Sequence, residues 1–352
     1  MNQAVNFISD GLGLSPSEFA QTLQDCTQNH TVQQDSYSLG GTVEEVEQKF
    51  ADLLGKERAV FMPTGTMANH IALRTLAGTN RKVIVQAESH IYRDIGDSPQ
   101  TLSGLNLVPL APQRAGFTLE EVEDVIRSLA NERVATRVGV ISIESPVRRQ
   151  DDAMFGHDEM QRIAAFARQH GIKMHLDGAR IFVEAVHTGI APAQYASLFD
   201  TVFVALSKCF NSASGAILAG PASVMEGIYH ARRMFGGSLA QAWPQASMAL
   251  HFADGFLADY GAAWQAAEAL FEALEGQPGF RVEYIPNGTH VVRLHVDGPD
   301  LVQFSDRLRE QHILLPPVVD GEGWFTLKVN PSLNSVPARD LADRFRAAAQ
   351  QD

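Results

Sequence analysis

The stretch HLDGAR, residues 175–180, and the pair Ser207-Lys208 each mark the end of a short apolar run. Asp177 closes the run GIKMHL, and Lys208 comes soon after TVFVAL, residues 201–206. Runs of this kind are typical of strands in a parallel sheet that is covered on both faces. Both charged side chains are therefore expected at strand ends, where open α/β sheets bind their ligands.

An aspartate and a lysine at such an edge suit pyridoxal phosphate (PLP). The lysine supplies an amine for covalent attachment of the cofactor, and the aspartate pairs with the pyridine nitrogen. Asp177 and Lys208 together therefore point to an enzyme. Taken singly, each residue has a structural alternative, namely a surface lysine after a strand and an aspartate in a turn or helix cap.

Length and composition are consistent with an enzyme of this kind. A chain of 352 residues is too long for one typical core, which favours a large domain and a smaller one. The net charge of −13 argues against nucleic-acid binding. Cys26 and Cys209 fit neither a disulfide framework nor a zinc site, and no metal site is expected. No signal peptide or membrane span is evident, so we expect a cytoplasmic protein.

Strand-like and helix-like segments alternate along most of the chain, which predicts an α/β fold with a mostly parallel sheet. The predicted strands are 82–86, 106–110, 138–143, 173–176, 201–206 and 215–219, and the predicted helices are 42–54, 67–76, 119–130 and 160–170. Residues 221–260 are expected to be largely helical. After residue 276, strands at 281–285, 290–296 and 324–329 with helices at 300–311 and 338–350 predict a small α+β domain. The predicted division is an N-terminal segment 1–40 contributing to the active site, a large domain 41–255 and a small domain 256–352.

Several further segments occur in a recognisable order around HLDGAR and Ser207-Lys208. They are Ser9-Asp10, QDSY (34–37) with GTVEEVE (41–47), FMPTGTMAN (61–69), ESHI (88–91), Glu144-Ser145, Arg232-Arg233 and Gly236-Gly237. With these motifs the chain resembles the threonine aldolase and β-eliminating lyase family of PLP enzymes over residues 9 to about 237. The resemblance implies a PLP-dependent transferase-like large domain with a mostly parallel seven-stranded sheet, a small C-terminal α+β domain, and a homodimer or homotetramer.

The resemblance also implies which residues bind the cofactor. Lys208, with Ser207 before it, would attach PLP, and Asp177 would keep the pyridine nitrogen protonated. Thr64, Gly65 and Thr66 would bind the phosphate at the start of a helix, where unpaired N–H groups favour an anion. Simple helix capping by the threonines is the alternative, and both roles are compatible.

Other residues would hold the substrate and move its protons. His90 would lie over the pyridine ring and take the proton of the substrate β-hydroxyl, directly or through a water; a purely structural histidine is the alternative. Arg180, beside the cofactor, and Ser9 would bind the α-carboxylate, since a guanidinium can hold both oxygens. A structural ion pair is the alternative for Arg180. Tyr37 is a weaker candidate for the rim of the site.

Three departures from the family pattern bear on the substrate. Lys328 stands where the family has a second carboxylate-binding arginine, and a lysine cannot bind a carboxylate bidentately. Ala240 replaces another arginine, and Cys209-Phe210-Asn211 replaces Gly-Leu-Gly, which is expected to place bulkier side chains beside the cofactor. The cofactor chemistry is expected to be intact, whereas the identity of the amino acid substrate is open.

The resemblance implies a carbon–carbon lyase that cleaves a β-hydroxy-α-amino acid, threonine or a related one, to glycine and an aldehyde. The nearest alternative is β-elimination at the same site, which gives a 2-oxo acid and ammonia, with Lys208 as the base at Cα. Aminotransferase or decarboxylase activity is disfavoured by HLDGAR. A non-catalytic PLP-binding protein is the remote alternative, against which the intact Lys208, Asp177 and His90 argue.

Overall fold

The computed structural model describes residues 4–29, 31–318 and 323–350 of the chain. These residues form two compact units, one of Ala20–Ala253 and one of the described parts of Met1–Phe19 and Asp254–Asp352. The start of the chain groups with the C-terminal unit because Val5 and Asn6 pair in parallel with Ile313 and Leu314. The boundaries predicted from the sequence lie after residues 40 and 255. A strand of two residues, such as Val5–Asn6, leaves no local signal of its distant partner, so this pairing could not be predicted.

The elements alternate as the sequence patterns predict. The strands are β1 (Val5–Asn6), β2 (Arg58–Met62), β3 (Lys82–Gln86), β4 (Asn106–Leu110), β5 (Val138–Glu144), β6 (Lys173–Asp177), β7 (Thr201–Ala205), β8 (Ala216–Gly220), β9 (Phe280–Tyr284), β10 (Val291–Val296), β11 (Ile313–Leu314) and β12 (Trp324–Lys328). The helices are α1 (Pro16–Asn29), α2 (Gly41–Leu54), α3 (Gly65–Ala77), α4 (His90–Arg93), α5 (Ser98–Ser103), α6 (Leu119–Ala130), α7 (His157–Gln169), α8 (Ile181–Thr188), α9 (Pro192–Ala196), α10 (Ala222–Met225), α11 (Ile228–Met234), α12 (Trp243–Ala253), α13 (Phe256–Glu275), α14 (Leu301–Glu310) and α15 (Ala338–Gln350).

The large unit contains a seven-stranded sheet in the order β2-β8-β7-β6-β5-β3-β4, which confirms the predicted fold class. β8 runs antiparallel to both of its neighbours, β2 and β7, and the other pairs are parallel. Six strands therefore point the same way, and their carboxyl ends share one edge of the sheet. β5, β7 and β8 are buried along their whole length, as expected of strands in a sheet with both faces covered.

Predicted and observed elements agree best where the apolar periodicity is strong. α6 coincides with the predicted helix 119–130, and a capping box of Thr118 and Glu121 sets its start. β3 and β4 also coincide with the predicted strands. α8 was not predicted, because its first five residues are all buried and show no polar face from which a helical period could be read.

The smaller unit has an antiparallel sheet in the order β12-β10-β9, and β1 pairs with β11 beside it. α13, α14 and α15 pack around a core to which Phe304, Phe325 and Phe345 contribute fully buried rings. Phe7 from the start of the chain joins this core, with its ring 6.1 Å from that of Phe345 in an edge-to-face contact. Burial of Phe7 is the physical reason why the first residues belong here.

Across the ranges that the structure describes, no helix has both the length and the apolar composition that crossing a membrane requires.

Candidate functional site

Most of the predicted site residues of the large unit converge on the carboxyl edge of its sheet. Asp177 and Glu144 are the last residues of the adjacent strands β6 and β5, and they lie in register. Lys208 follows the end of β7, His90 follows β3, and Thr64 follows β2. Because these strands share one direction, the five side chains meet at one edge, as the strand-end argument predicts for the parallel sheet.

The start of α3 is the predicted phosphate end of the candidate site. Thr64 is the N-cap of α3, and its Oγ1 accepts a hydrogen bond from the backbone N–H of Met67 at 3.2 Å. The first N–H groups of a helix have no acceptor within the helix, so they favour an anion. Thr64 is exposed, and Gly65 and Thr66 are half-buried, which leaves this helix start accessible.

Gly65 is required by close packing between α3 and the sheet. A Cβ at this position would lie 2.5 Å from the ring of Phe203 in β7. We expect Gly65→Ala to displace the start of α3, to destabilise the protein by about 1–3 kcal/mol, and to weaken binding of a phosphate-bearing cofactor. Thermal unfolding and a PLP titration measure the two effects.

Gly227→Ala is the matched control for this substitution. No atom lies within 4 Å of a Cβ built there, so its effect should stay within about 0.5 kcal/mol. Unchanged stability and unchanged PLP binding in Gly65→Ala would mean that α3 tolerates displacement and that the close packing is unimportant.

Asp177 is held by groups that only donate hydrogen bonds. Its side chain is 1% exposed. Its Oδ2 accepts from Asn69 Nδ2 in α3 at 2.7 Å, and its Oδ1 accepts from the backbone N–H of Ala179 at 3.3 Å. The carboxylate is therefore fixed in orientation at the end of β6, as pairing with a ring nitrogen requires. Asn69 belongs to the FMPTGTMAN motif, but no local pattern in the sequence indicates this contact with Asp177.

Glu144 is a second buried carboxyl at this edge and was also given no role from the sequence. Its Oε2 accepts from the backbone N–H of His90 at 2.5 Å, and its Oε1 accepts from that of Arg148 at 3.0 Å. Burial and the negative charge of Asp177 raise the pKa of Glu144 to about 8, while the two N–H donors and Lys208 oppose this shift. Glu144 thus anchors the start of α4, which carries His90. In the sequence, Glu144 ends an apolar run, and this pattern alone indicates a carboxyl at the carboxyl edge of the sheet.

His90 has an acidic neighbour on its own short helix. Its Nδ1 lies 3.4 Å from Asp94 Oδ2, and its side chain is 31% exposed, so it remains accessible to a substrate. Arg148 and Arg149 contact the same carboxylate at 2.6 and 2.5 Å. Although burial acts in the opposite direction, hydrogen bonds from these arginines hold the pKa of Asp94 well below its usual range. Asp94 is therefore a fixed negative charge beside the imidazole.

Arg180 and Ser207 occupy different environments in the large unit. Arg180 is 3% exposed, caps the start of α8, and has its Nη1 3.5 Å from Asp152 Oδ1. Ser207 is exposed, and Lys208 beside it is half-buried. The structure thus gives Arg180 a buried acidic neighbour, the structural alternative considered above, while its role toward a substrate stays a prediction.

Ser9 and Lys328, the other predicted carboxylate ligands, both lie in the smaller unit. Lys328 Nζ is 2.8 Å from Asp10 Oδ1, and His290 Nε2 is 3.0 Å from the same oxygen. The carbonyl oxygen of Ser9 accepts from Asn330 Nδ2 at 2.9 Å. Asp10 therefore offsets the charge of Lys328, which was expected to face a substrate.

The larger side chain of Phe210, two residues after Lys208, packs inside the large unit. Phe210 is fully buried, and its ring makes edge-to-face contacts with Phe50 at 4.9 Å and Phe182 at 5.2 Å between centroids. Such aromatic pairs add to the free energy gained from burial. The side chain therefore contributes to the core of the large unit, and this contact accounts for a phenylalanine where the family has leucine.

Glu184, in α8, is a buried carboxyl that makes stability depend on pH. Its Oε2 accepts from Ser145 Oγ at 2.6 Å. Burial raises the pKa of Glu184 from the usual 4.5 to about 7. Since the folded state holds the proton more tightly than the unfolded state, this group contributes fully below the unfolded pKa, and its contribution is lost as the pH rises through the folded pKa.

Glu184→Gln removes this titration. We expect the stability of the variant relative to the wild type to rise between about pH 4.5 and about pH 7, by ~3 kcal/mol in all, and to be constant above that range. Urea unfolding at a series of pH values measures the difference. A difference that does not vary with pH would show that burial does not perturb Glu184.

Known proteins resemble this chain in both sequence and structure. A sequence model described as beta-eliminating lyase matches residues 15–296. The low-specificity L-threonine aldolases of Candida albicans and Saccharomyces cerevisiae are 29% and 30% identical over 237 and 207 residues. These matches cover 66% and 58% of this chain, and the chain spans only 62% and 53% of the length of these curated relatives.

Among solved structures, a protein from Exiguobacterium sp. 255-15 is described as an aromatic amino acid beta-eliminating lyase/threonine aldolase. It is 26% identical to this chain, with a TM-score of 0.80, and the match covers 99% of this chain and 98% of that one. The similarity therefore extends over both compact units of the chain.

Proposed function

Because this chain belongs to the beta-eliminating lyase family, we propose that it is a PLP-dependent lyase that cleaves the Cα–Cβ bond of a β-hydroxy-α-amino acid to give glycine and an aldehyde. One observation carries this proposal: the anchored Asp177, Lys208, His90 and the start of α3 share the carboxyl edge of one sheet. The sequence similarity to low-specificity L-threonine aldolases supports the choice of reaction.

The residues at this edge fit PLP by their chemistry. The start of α3, with Thr64 and Thr66, suits a phosphate dianion, and the buried Asp177 suits a protonated pyridine nitrogen. Lys208 would attach the cofactor. When bound, PLP supplies an aldehyde that bonds to amines and a ring that accepts the electron pair released at Cα.

The protein's own residues would then bind the substrate and move its protons. Arg180 would hold the α-carboxylate and so fix which bond to Cα breaks. His90, with Asp94 beside its Nδ1, would remove the proton from the β-hydroxyl, whose oxygen becomes the aldehyde carbonyl. The electron pair of the broken Cα–Cβ bond stays at Cα and takes up one proton to complete glycine, which balances the proton that His90 removes from the hydroxyl.

A substrate panel tests the proposed reaction. The purified protein, loaded with PLP, is incubated with threonine, allo-threonine and other β-hydroxy amino acids, and in parallel with β-substituted amino acids that carry a leaving group. The proposal expects glycine and an aldehyde in equal amounts from the first set. Absence of both products from every β-hydroxy amino acid would reject it.

β-Elimination is the second candidate, because the matching family is itself described as beta-eliminating lyase. In that reaction Lys208 would remove the proton from Cα, and the β-substituent would leave with its electron pair. Release of a 2-oxo acid and ammonia from the second substrate set, without glycine from the first, would favour it.

We further propose that the protein assembles as a homodimer or a dimer of dimers. Large apolar side chains are exposed at Tyr37 (51%), Leu39 (46%) and Met234 (54%). The segments that carry them are joined, since the buried Arg232 donates to the carbonyl oxygen of Ser38 at 3.1 Å and the N–H of Tyr37 donates to the carbonyl oxygen of Ala240 at 3.2 Å. Exposed apolar side chains on joined segments suit a self-complementary interface.

Met234→Glu is expected to weaken self-association by about 10-fold or more, because it buries an unpaired charge in the interface. Sedimentation over a concentration range measures the effect. Val134→Glu, at an apolar residue that is 74% exposed in another part of the unit, should leave association unchanged. A fully active wild-type monomer at assay concentration would contradict the proposed assembly.

A further inference from the structure

A chain of buried hydrogen bonds runs behind Asp177, from β7 through β6 to α3. Thr201 Oγ1 lies 2.8 Å from His175 Nδ1, and His175 Nε2 lies 2.9 Å from Asn69 Oδ1. Asn69 Nδ2 then donates to Asp177 Oδ2 at 2.7 Å. All four side chains are at most 1% exposed, so bulk water does not replace a lost partner.

The direction of each hydrogen bond between these four side chains follows from Asp177. An ionised carboxylate only accepts, so Asn69 must turn its NH₂ toward Asp177 and its carbonyl oxygen toward His175. His175 must then donate from Nε2, which leaves Nδ1 to accept from the Thr201 hydroxyl. Burial lowers the pKa of His175 to about 4, which keeps the ring neutral in this one tautomer near neutral pH.

Asn69 and His175 lower the stability of the fold relative to apolar residues at the same positions, which indicates that their hydrogen bonds have a function. Asn69 lies inside α3, where asparagine is a poor helix former, and both side chains are fully buried. A buried amide or imidazole is tolerated only when its hydrogen bonds are satisfied, whereas apolar side chains would pack without that requirement. What the polar pair does supply is a single orientation of the Asn69 amide.

We propose that His175 and Asn69 are positioning residues for Asp177. His175 locks the amide of Asn69, so that it always presents a donor to the carboxylate that pairs with the pyridine nitrogen of PLP. The inference rests on the proposed function, because it requires PLP at this edge. It adds two residues that act through Asp177 and that sequence analysis quoted without assigning them a role.

Two substitutions at His175 separate positioning from packing. The side-chain amide of glutamine reaches the place of Nε2, so His175→Gln keeps the donor to Asn69. Asparagine is shorter and reaches only the place of Nδ1, so His175→Asn keeps the contact with Thr201 but leaves the Asn69 oxygen without its donor, and the amide is then held less firmly against Asp177.

The readouts are the dissociation constant of PLP from the apoenzyme, the pH profile of the absorbance of bound PLP, and kcat. For His175→Asn we expect PLP binding and kcat each to fall by about 10-fold, since the hydrogen bond from Asn69 to the charged Asp177 is weakened and its buried oxygen loses a partner. The transition in the absorbance profile should move to another pH. For His175→Gln all three should stay within about three-fold of the wild type.

His70 provides a matched control pair. It is the neighbour of Asn69 in α3, is 3% exposed, and has its Nε2 2.7 Å from Ser103 Oγ. His70→Asn and His70→Gln therefore disturb a similar buried histidine that is not hydrogen-bonded to Asn69 or Asp177. They are expected to alter thermal stability while leaving PLP binding and the absorbance profile within about two-fold of the wild type.

Thr201→Val serves if His175→Asn does not fold. It removes the hydroxyl that donates to Nδ1, so one of the two hydrogen bonds that hold the His175 ring is lost, and we expect a smaller change in the same direction. The proposal is overturned if a folded His175→Asn or Thr201→Val binds PLP with an unchanged affinity and absorbance profile. It is also overturned if His175→Gln is as impaired as His175→Asn.

Failure of this inference and failure of the proposed function are distinguishable. A wild-type protein that binds PLP but releases no glycine or aldehyde would reject the reaction, while the binding and absorbance readouts would still decide the role of His175. A wild-type protein that binds no PLP would reject both proposals.

Discussion

Replacing Lys208 with alanine is expected to abolish turnover, with kcat lowered by about 10⁴-fold or more. Lys208 is the lysine that follows β7 at the carboxyl edge of the sheet. In the proposed function its amine attaches PLP, and in the alternative β-elimination it would also remove the proton from Cα. The variant should retain non-covalent PLP, because the start of α3 and Asp177 remain in place. Steady-state assays and a PLP titration measure the two effects.

Lys56 is the control for this prediction. It is half-buried, donates to the carbonyl oxygen of Phe199 at 2.6 Å, and has its pKa lowered by burial, so its amine is also poorly solvated. It precedes β2 and therefore lies at the opposite edge of the sheet. Borohydride reduction should fix the cofactor on Lys208 alone. A reduced adduct mapped to Lys56, or full activity in Lys208→Ala, would contradict the assignment.

Asp177→Asn should have the second largest effect, lowering kcat by on the order of 10², equivalent to about 2.7 kcal/mol of transition-state stabilisation. The substitution keeps the size of the side chain and can still accept from Asn69. It loses the negative charge that would hold a proton on the pyridine nitrogen, so the electron pair released at Cα is less well delocalised. Initial rates measured at saturating PLP separate the fall in kcat from loss of the cofactor.

Asp200→Asn is the matched control for Asp177→Asn. Asp200 precedes β7 at the opposite edge, where it accepts from the backbone N–H of Met174 at 2.8 Å and contacts Lys173 Nζ at 2.9 Å. Its replacement should change stability but leave kcat within about two-fold of the wild type. Near-normal kcat in Asp177→Asn would show that Asp177 is a structural residue.

Strand-end residues of the candidate site were predictable because a parallel sheet brings the carboxyl ends of its strands to one edge. Asp177 and Lys208 each follow an apolar run, so their meeting at that edge required only the order and direction of the strands. His90 and Thr64 were found through motif resemblance, and they also follow strands that end there.

The supporting residues could not be assigned because their function lies in contacts between distant parts of the chain. Asn69 and Asp177 are separated by 108 positions, and His90 and Glu144 by 54. A hydrogen-bond partner depends on which helix packs against which strand, and no local pattern records that. Lys328 illustrates the same limit, since its charge was visible in the sequence and its partner Asp10 was not.

The sequence by itself determined the order of elements, the sheet class and the polar residues that end the strands, because apolar periodicity and chain direction are local properties. Only the tertiary structure decided that the first residues complete the smaller unit, that Phe210 belongs to an aromatic core cluster, and that Asn69 turns its amide toward Asp177. Each of these depends on burial, since a side chain removed from water must find its partners among whatever the fold packs beside it.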